Sequence, residues 1–123
     1  MRRLFLLLLL ILLSVHSIDG QDVNSFINKR VYNLGMIKDK NKCTVDFYYS
    51  NDSGHELTVQ AVYTSCGCIS VDYPKQKIKE KEKGSIKVSV DITSVRGYFE
   101  KKILLYVSSL KPIILKIRGF VIQ

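Results

Sequence analysis

The softest and most nucleophilic side chains in this 123-residue sequence are three cysteines, two of them in the stretch Thr-Ser-Cys-Gly-Cys-Ile-Ser at 64–70. Cys66 and Cys68 flank one glycine, and Cys43 lies upstream. On a straight strand two such residues share a face with Cβ atoms about 6.6 Å apart. A disulfide needs roughly 3.5–4.5 Å. A Cys66–Cys68 bond therefore requires the backbone to fold at Gly67, which a glycine permits by taking positive φ. Cys43 is the other available partner, and any one pairing leaves a thiol over. Unbonded, Cys66 and Cys68 would pack as small apolar groups, work as a redox pair, or offer two thiolates to a soft ion such as Cu(I). A disulfide is the leading reading.

Other chemistries find fewer residues. A structural zinc site takes four ligands, and Cys43, His55, Cys66 and Cys68 would be the whole supply, with His55 expected at the opposite end of the domain. No metal site is assigned on that basis. A catalytic thiol would need a histidine beside it, yet His16 sits in a leader-like segment and no carboxylate–histidine pair is evident. No catalytic residue, no cofactor and no enzymatic activity are expected.

The elements that must hold these residues read as strands. In 44–50 Val45, Phe47 and Tyr49 share a face, the period of two of a half-buried strand. Residues 51–54, Asn-Asp-Ser-Gly, form a turn. Alternation resumes in 56–64 through Leu57, Val59 and Ala61, and is cleanest in 84–92 through Ile86, Val88, Val90 and Ile92. Residues 97–109 and 112–122 complete the set, with Pro112 at a strand start where its missing N–H costs no ladder bond. No helical period is long enough to cover a sheet, so the apolar faces must cover one another, as in an all-β sandwich. The expected core is Val45, Phe47, Val59, Ile86, Val88, Val90, Ile103, Leu105, Leu115 and Ile117. Strands 43–50 and 56–64 are expected to run antiparallel about the 51–54 turn, which brings Cys43 to the end that holds Cys66 and Cys68.

Ahead of the strands, Arg2 and Arg3 precede an apolar run at 4–15. A membrane-spanning helix takes roughly 20 apolar residues and a secretory leader about 7–15. The run belongs to the second class, with cleavage expected after Ser17 or Gly20, and an uncleaved anchor as the competing reading. Residues 1–20 are thus read as a signal peptide and 21–123 as one domain, in a periplasmic or extracellular setting. Cleavage after Gly20 removes Arg2, Arg3 and Asp19 and takes the formal net charge from +8 to +7. Such a charge favours acidic partners, although the lysines are spread along the chain and no arginine-aromatic run suggests nucleic acid. The mixed run 75–84 reads as a solvated loop and edge. Asn51 in Asn-Asp-Ser matches a glycosylation acceptor, but a turn asparagine explains it equally.

Several of these stretches carry a resemblance. "YNLG" at 32–35, "FYYSN" at 47–51, "LTV" at 57–59 and "SCGCI" at 65–69 resemble, in that order, the bacterial secreted domain-of-unknown-function family 1573 with its S-C-G-C-T signature. The likeness continues through 84–91, 97–109 and 117–121, covering about 32–121. It implies an immunoglobulin-like sandwich of about seven strands, similar to the major sperm protein and Hydin type, preceded here by the signal helix. Four positions depart from the family: Ile69 replaces the signature threonine, Glu80 and Lys81 replace a Pro-Gly pair, and Ser109 replaces an asparagine. Glu80 and Lys81 do not themselves favour a tight turn.

Two functions of different class follow. One is a non-catalytic binding or structural module of the cell envelope, using sheet edges for strand addition to a protein or envelope component. The other is a small thiol-redox or copper-binding protein centred on Cys66 and Cys68. Contact with a membrane is expected only through the leader, if it is retained. Mass spectrometry of the exported protein should find its amino terminus near Ile18 or Gln21; a mature product that keeps residues 4–15 would establish the anchor instead.

Overall fold

The computed structural model describes residues 2–14 and 26–122. Helix α1 (Arg2–Ser14) is followed by β1 (Val31–Lys38), β2 (Lys42–Ser50), β3 (Val59–Thr64), β4 (Ile69–Asp72), β5 (Lys83–Asp91), β6 (Gly97–Val107) and β7 (Ile113–Ile122). Leucines 4 and 6–10 of α1 are exposed and take no part in the core. Val15 and both expected cleavage positions, Ser17 and Gly20, lie outside the described residues. Among those residues no helix is long and apolar enough to cross a membrane.

The strands form a four-stranded sheet in the order β1-β7-β6-β3 and a three-stranded sheet in the order β2-β5-β4. Alternation explains how the two sheets close. On β2, Cys43, Val45, Phe47 and Tyr49 turn inward, while Thr44 and Tyr48 face solvent. β5 answers with Ile86, Val88 and Val90 in unbroken register, from Lys42 opposite Asp91 to Ser50 opposite Lys83. Facing them, β6 supplies Phe99, Ile103 and Leu105, and β7 supplies Ile113, Leu115 and Ile117. All ten residues expected in the core are buried, and Phe47 is completely enclosed.

Several sequence expectations need correction. The segments 43–50 and 56–64 do not pair with each other: β2 pairs with β5 and β3 with β6. The chain between them crosses from one sheet to the other. The alternation expected for Leu57, Val59 and Ala61 also fails at its last member. A register shift between Val59 and Ala61 inserts a bulge at Gln60, which moves the following residues to the opposite face. Val62, opposite the buried Leu105, packs on the core in place of Ala61. The polar lead-in hides Phe26 and Ile27, both buried, with Phe26 edge-on to Tyr49 at 5.0 Å. Two short or irregular strands, β1 and β4, escaped the periodicity.

The turn at 79–82 forms despite the absence of Pro-Gly. The Glu82 N–H donates to the Lys79 carbonyl at 3.1 Å, and Lys81 takes φ 66°. Ser109 takes φ 63°. The replacements at Lys81 and Ser109 thus fall on left-handed positions, where glycine is unstrained and asparagine is tolerated. Gly84 is required for a different reason. A Cβ there would lie 2.6 Å from Cζ of Tyr49, its partner across the ladder.

The left-handed form costs an ordinary L-residue roughly 1–2 kcal/mol. The exposed Lys81–Asp52 pair, 3.7 Å apart, returns only a fraction of a kcal/mol. Lys81→Gly should therefore stabilise the domain by about 1 kcal/mol, and Ser109→Asn by a few tenths. Urea denaturation of the two variants checks this; an unchanged midpoint for Lys81→Gly would show that neighbouring contacts repay the conformation.

Candidate functional site

The cysteine stretch forms a corner. β3 ends at Thr64 in the four-stranded sheet and β4 begins at Ile69 in the other, so residues 65–68 carry the chain between sheets. The Ile69 N–H donates to the Cys66 carbonyl at 3.2 Å, closing a turn over Gly67 and Cys68. Cys66 and Cys68 are joined by a disulfide with their Cα atoms 5.1 Å apart. The Cys68 N–H also points at the Cys66 Sγ, 3.1 Å away, and the Thr64 hydroxyl donates to the Cys66 carbonyl at 3.3 Å. The corner is tied to the sheet by the Asp91 N–H, which donates to the Cys68 carbonyl at 2.8 Å. Gly67 does not take positive φ, and a Cβ there would meet nothing within 4 Å. The expectation that positive φ at Gly67 folds the backbone is overturned, and nothing in the structure explains the glycine.

Cys43 lies at the same end of the domain, as expected. It and Ile69 both stand opposite Val90, on either side of β5, two strand spacings or about 10 Å apart. Its thiol is free and buried, and burial pushes its pKa up, with Lys40 pulling weakly the other way. Such a thiol is inert rather than nucleophilic. His55 sits beyond the other end of β2, about 24 Å away along that strand, with Nδ1 at 3.1 Å from the Ser53 carbonyl. Cys43, His55, Cys66 and Cys68 are not brought together. Among the described residues no cluster of three or more His, Cys, Asp or Glu side chains is placed to hold a metal ion. As a disulfide, Cys66 and Cys68 hold no thiolate for Cu(I).

Asn51 was legible as a turn former, but its burial was not. It is fully enclosed, and its Nδ2 lies 2.9 Å from the His55 carbonyl and 3.1 Å from those of Ile78 and Lys79. A glycan on that nitrogen has no room.

The outer surfaces of the two sheets differ sharply. The three-stranded sheet shows Thr44, Ser70, Asp72, Ser85, Lys87 and Ser89. The four-stranded sheet shows aromatic and aliphatic rows. Met36, Phe120 and Tyr98 stand opposite one another on β1, β7 and β6, with relative exposures of 74%, 46% and 64%. Ile114, Leu104 and Tyr63 form a second row on β7, β6 and β3, with Tyr106 edge-on to Tyr63 at 5.7 Å. Six of the seven large hydrophobics exposed outside α1 among the described residues lie on this face; Tyr48 is the exception.

Between the rows runs a charged belt. Arg118 Nε donates to Glu100 Oε2 at 2.6 Å, Tyr98 donates to the same oxygen at 3.2 Å, and Lys102 Nζ stands 3.8 Å from Oε1. The Arg118 hydrogen bond and charge, with smaller help from Tyr98 and Lys116, hold the Glu100 carboxyl below its usual range against desolvation. Its contribution to stability is complete above the ordinary glutamate range and is lost as pH falls through the lowered pKa.

β2 is an open edge of its sheet. The ladder bonds at its two ends, from Asn51 N–H to the Glu82 carbonyl and from Ile92 N–H to the Asn41 carbonyl, put odd residues in the hydrogen-bonded pairs. Thr44, Asp46 and Tyr48 therefore aim their backbone groups outward. The Ser50 N–H is taken by the Phe26 carbonyl at 3.0 Å.

Two face-to-face antiparallel-rich sheets, with the first strand parallel to the last, define an immunoglobulin-like sandwich. The chain belongs to the family described as protein of unknown function (DUF1573), whose model matches residues 26–121. No curated protein gives a match. Among solved structures the chain is similar to a protein of unknown function from Porphyromonas gingivalis W83, with TM-score 0.66 and 12% identity over 75% of this chain and 44% of that one. It is similar to PapD-like domain 7 of human CEP192, with TM-score 0.59 and 9% identity over 79% of this chain and 84% of that one. The secreted serine protease VesC from Vibrio cholerae gives TM-score 0.64 and 12% identity over 89% of this chain and 26% of that one. The chain therefore spans less than half of the Porphyromonas protein and about a quarter of VesC. At these identities the likeness shows the fold.

A disulfide that closes so short a loop removes little entropy from the unfolded chain, about 1–2 kcal/mol in the loop-closure model. Cys66→Ser with Cys68→Ser should lower stability by about that amount. Thiol titration should find no reactive group in the native protein, Cys43 alone on denaturation, and all three after reduction. Two or more thiols in the unreduced, denatured chain would disprove the pairing.

Proposed function

We propose that this chain is an exported, non-catalytic binding module of the cell envelope that meets its partner through the outer face of the β1-β7-β6-β3 sheet. The observation that carries this reading is the one-sided distribution of exposed hydrophobics. Scattered apolar residues are normal on a protein surface, whereas rows that stay together across three strands mark contact sites. Interfaces favour aromatic side chains, methionine and arginine, and Tyr98, Phe120, Met36, Tyr63 and Arg118 share this face. The opposite face, rich in serine and carboxylate, has the composition of a solvated surface. Strand addition at β2 is the less favoured route, because Lys42 and Asp46 place charges on that edge and charges there deter pairing. Export is supported by the basic-then-apolar leader pattern and by the Cys66–Cys68 disulfide, since such bonds persist in oxidising compartments.

The test is retention of envelope components on the immobilised mature protein. The native protein and Tyr48→Ser should retain the same component, and Tyr98→Ser with Phe120→Ser should lose at least nine-tenths of it. Undiminished retention by the double variant would move the binding surface elsewhere.

A further inference from the structure

The rows across the outer face of the four-stranded sheet also specify what should cover it, provided that face is the binding surface proposed above. Along β7 the outward residues run Ile114, Lys116, Arg118 and Phe120. Ile114 and Phe120 are six residues apart, about 20 Å. Lys116 stands opposite Lys102, and Arg118 opposite Glu100. Glu100 is already engaged by Arg118, Tyr98 and Lys102. No carboxylate among the described residues lies within ion-pair distance of Lys116. Three cations thus face one carboxylate, and the surplus sits in the middle of the face with an apolar row on each side.

We infer that this face docks a protein partner that presents carboxylates over Lys102 and Lys116. On either side of them the partner carries apolar side chains that cover the Met36–Phe120–Tyr98 and Ile114–Leu104–Tyr63 rows. Other occupants fit this order poorly. A second copy related by a two-fold axis through the belt would set lysines against lysines, and like charges across an interface are strongly unfavourable. A bilayer that received both apolar rows would draw the central cations and the Glu100–Arg118 pair below the headgroups, which is costly. A saccharide finds flat rings at Tyr98 and Tyr63 but only aliphatic groups at Met36, Leu104 and Ile114. Four strands span about 14 Å across, so the rows and belt cover only a few hundred Å². A stable complex takes about 800 Å² per partner. The complex is accordingly reversible and sensitive to salt.

The test begins with a photo-crosslinking amino acid placed in the full chain, one site at a time, at Tyr63, Tyr98, Ser70 and Ser89, in the cell that produces the protein. The adduct is identified, and the captured protein is purified and titrated against the native chain, Phe120→Ser, and Lys102→Glu with Lys116→Glu. A matched thermal midpoint confirms that each variant is folded. The expected result is capture of one protein from Tyr63 and Tyr98 and none from Ser70 or Ser89. Charge reversal should weaken binding at least tenfold, raising salt from 50 to 300 mM should weaken it likewise, and reversing the partner's facing carboxylates to lysine should restore it. Capture from Tyr63 and Tyr98 with an affinity indifferent to charge reversal would keep the face as the binding surface and overturn the acidic complement. Capture from Ser70 and Ser89 instead, or no adduct from either tyrosine, would overturn the face itself. A self-adduct would assign the face to a second copy. Retention on vesicles of 70:30 phosphatidylcholine and phosphatidylglycerol, lost in Phe120→Ser, would assign it to a membrane. Either of those two outcomes overturns the protein partner.

Discussion

The buried amide of Asn51 fixes where one sheet hands the chain to the other. Its Nδ2 faces the carbonyls of His55, Ile78 and Lys79, and its Oδ1 accepts from the Ser53 N–H at 3.2 Å and the Ser53 hydroxyl at 2.6 Å. Its backbone donates to Glu82 and accepts from Lys81. One side chain therefore bridges two segments, 51–55 and 78–82, adding to the bonds that the Ile78 and Lys79 carbonyls accept from the Leu57 and Glu82 N–H groups. An unsatisfied buried group costs about 1–3 kcal/mol, so placements that strip the enclosed Asn51 amide of these partners are penalised. With Asn51 opposite Glu82, the register of β2 on β5 follows residue by residue to Lys42. The same constraint overrides local preference at Lys81. The Asn51 carbonyl receives the Lys81 N–H at 2.7 Å, and the Glu82 carboxylate receives the Lys79 N–H at 2.7 Å.

That override shows why the sequence is only partly readable. The strands with strict alternation, such as Val45-x-Phe47 and Ile86-x-Val88-x-Val90, are legible because a period of two commits one face to the core over several residues. β1 is not legible, because its register slips between Asn33 and Met36 around Gly35, whose φ is 66°. β4 offers only four residues, too few for a period to declare itself. The bulge at Gln60 is invisible for another reason: both Ala61 and Val62 are apolar, so the sequence is compatible with either face. Sheet membership of β2 and β3 is not legible either, because consecutive antiparallel strands need not share a sheet, and only long-range pairing decides. At the cysteine corner the return of the chain about 51–54 implies a nearby Cys43, which holds although β2 and β3 lie in different sheets, and the spacing implies the turn that is found. It misassigned the role of Gly67, because the backbone turns there without a left-handed residue.

Two of the four crossings between the sheets bracket β3, the strand that carries one side of the proposed binding face. β3 enters the four-stranded sheet after the Asn51 crossing and leaves it through the Cys66–Cys68 corner. Hydrogen bonds of Asn51 hold the first end; at the second the disulfide closes the corner on itself and the Asp91 N–H ties it to β5. Between these anchors the bulge at Gln60 turns Val62 inward, and Tyr63 therefore turns outward against Leu104 and Tyr106. A β3 without that bulge would bury Tyr63 and expose Val62, removing one of the two apolar rows. The apolar row at β3 thus depends on one extra residue in that strand. The opposite row rests on an irregularity of its own, since the register shift between Asn33 and Met36, around Gly35, sets Met36 opposite the outward Phe120. Each apolar row thus needs a register shift in an edge strand, at Gln60 in β3 and around Gly35 in β1, whereas the charged belt of Glu100 and Arg118 comes from β6 and β7, which pair without a shift.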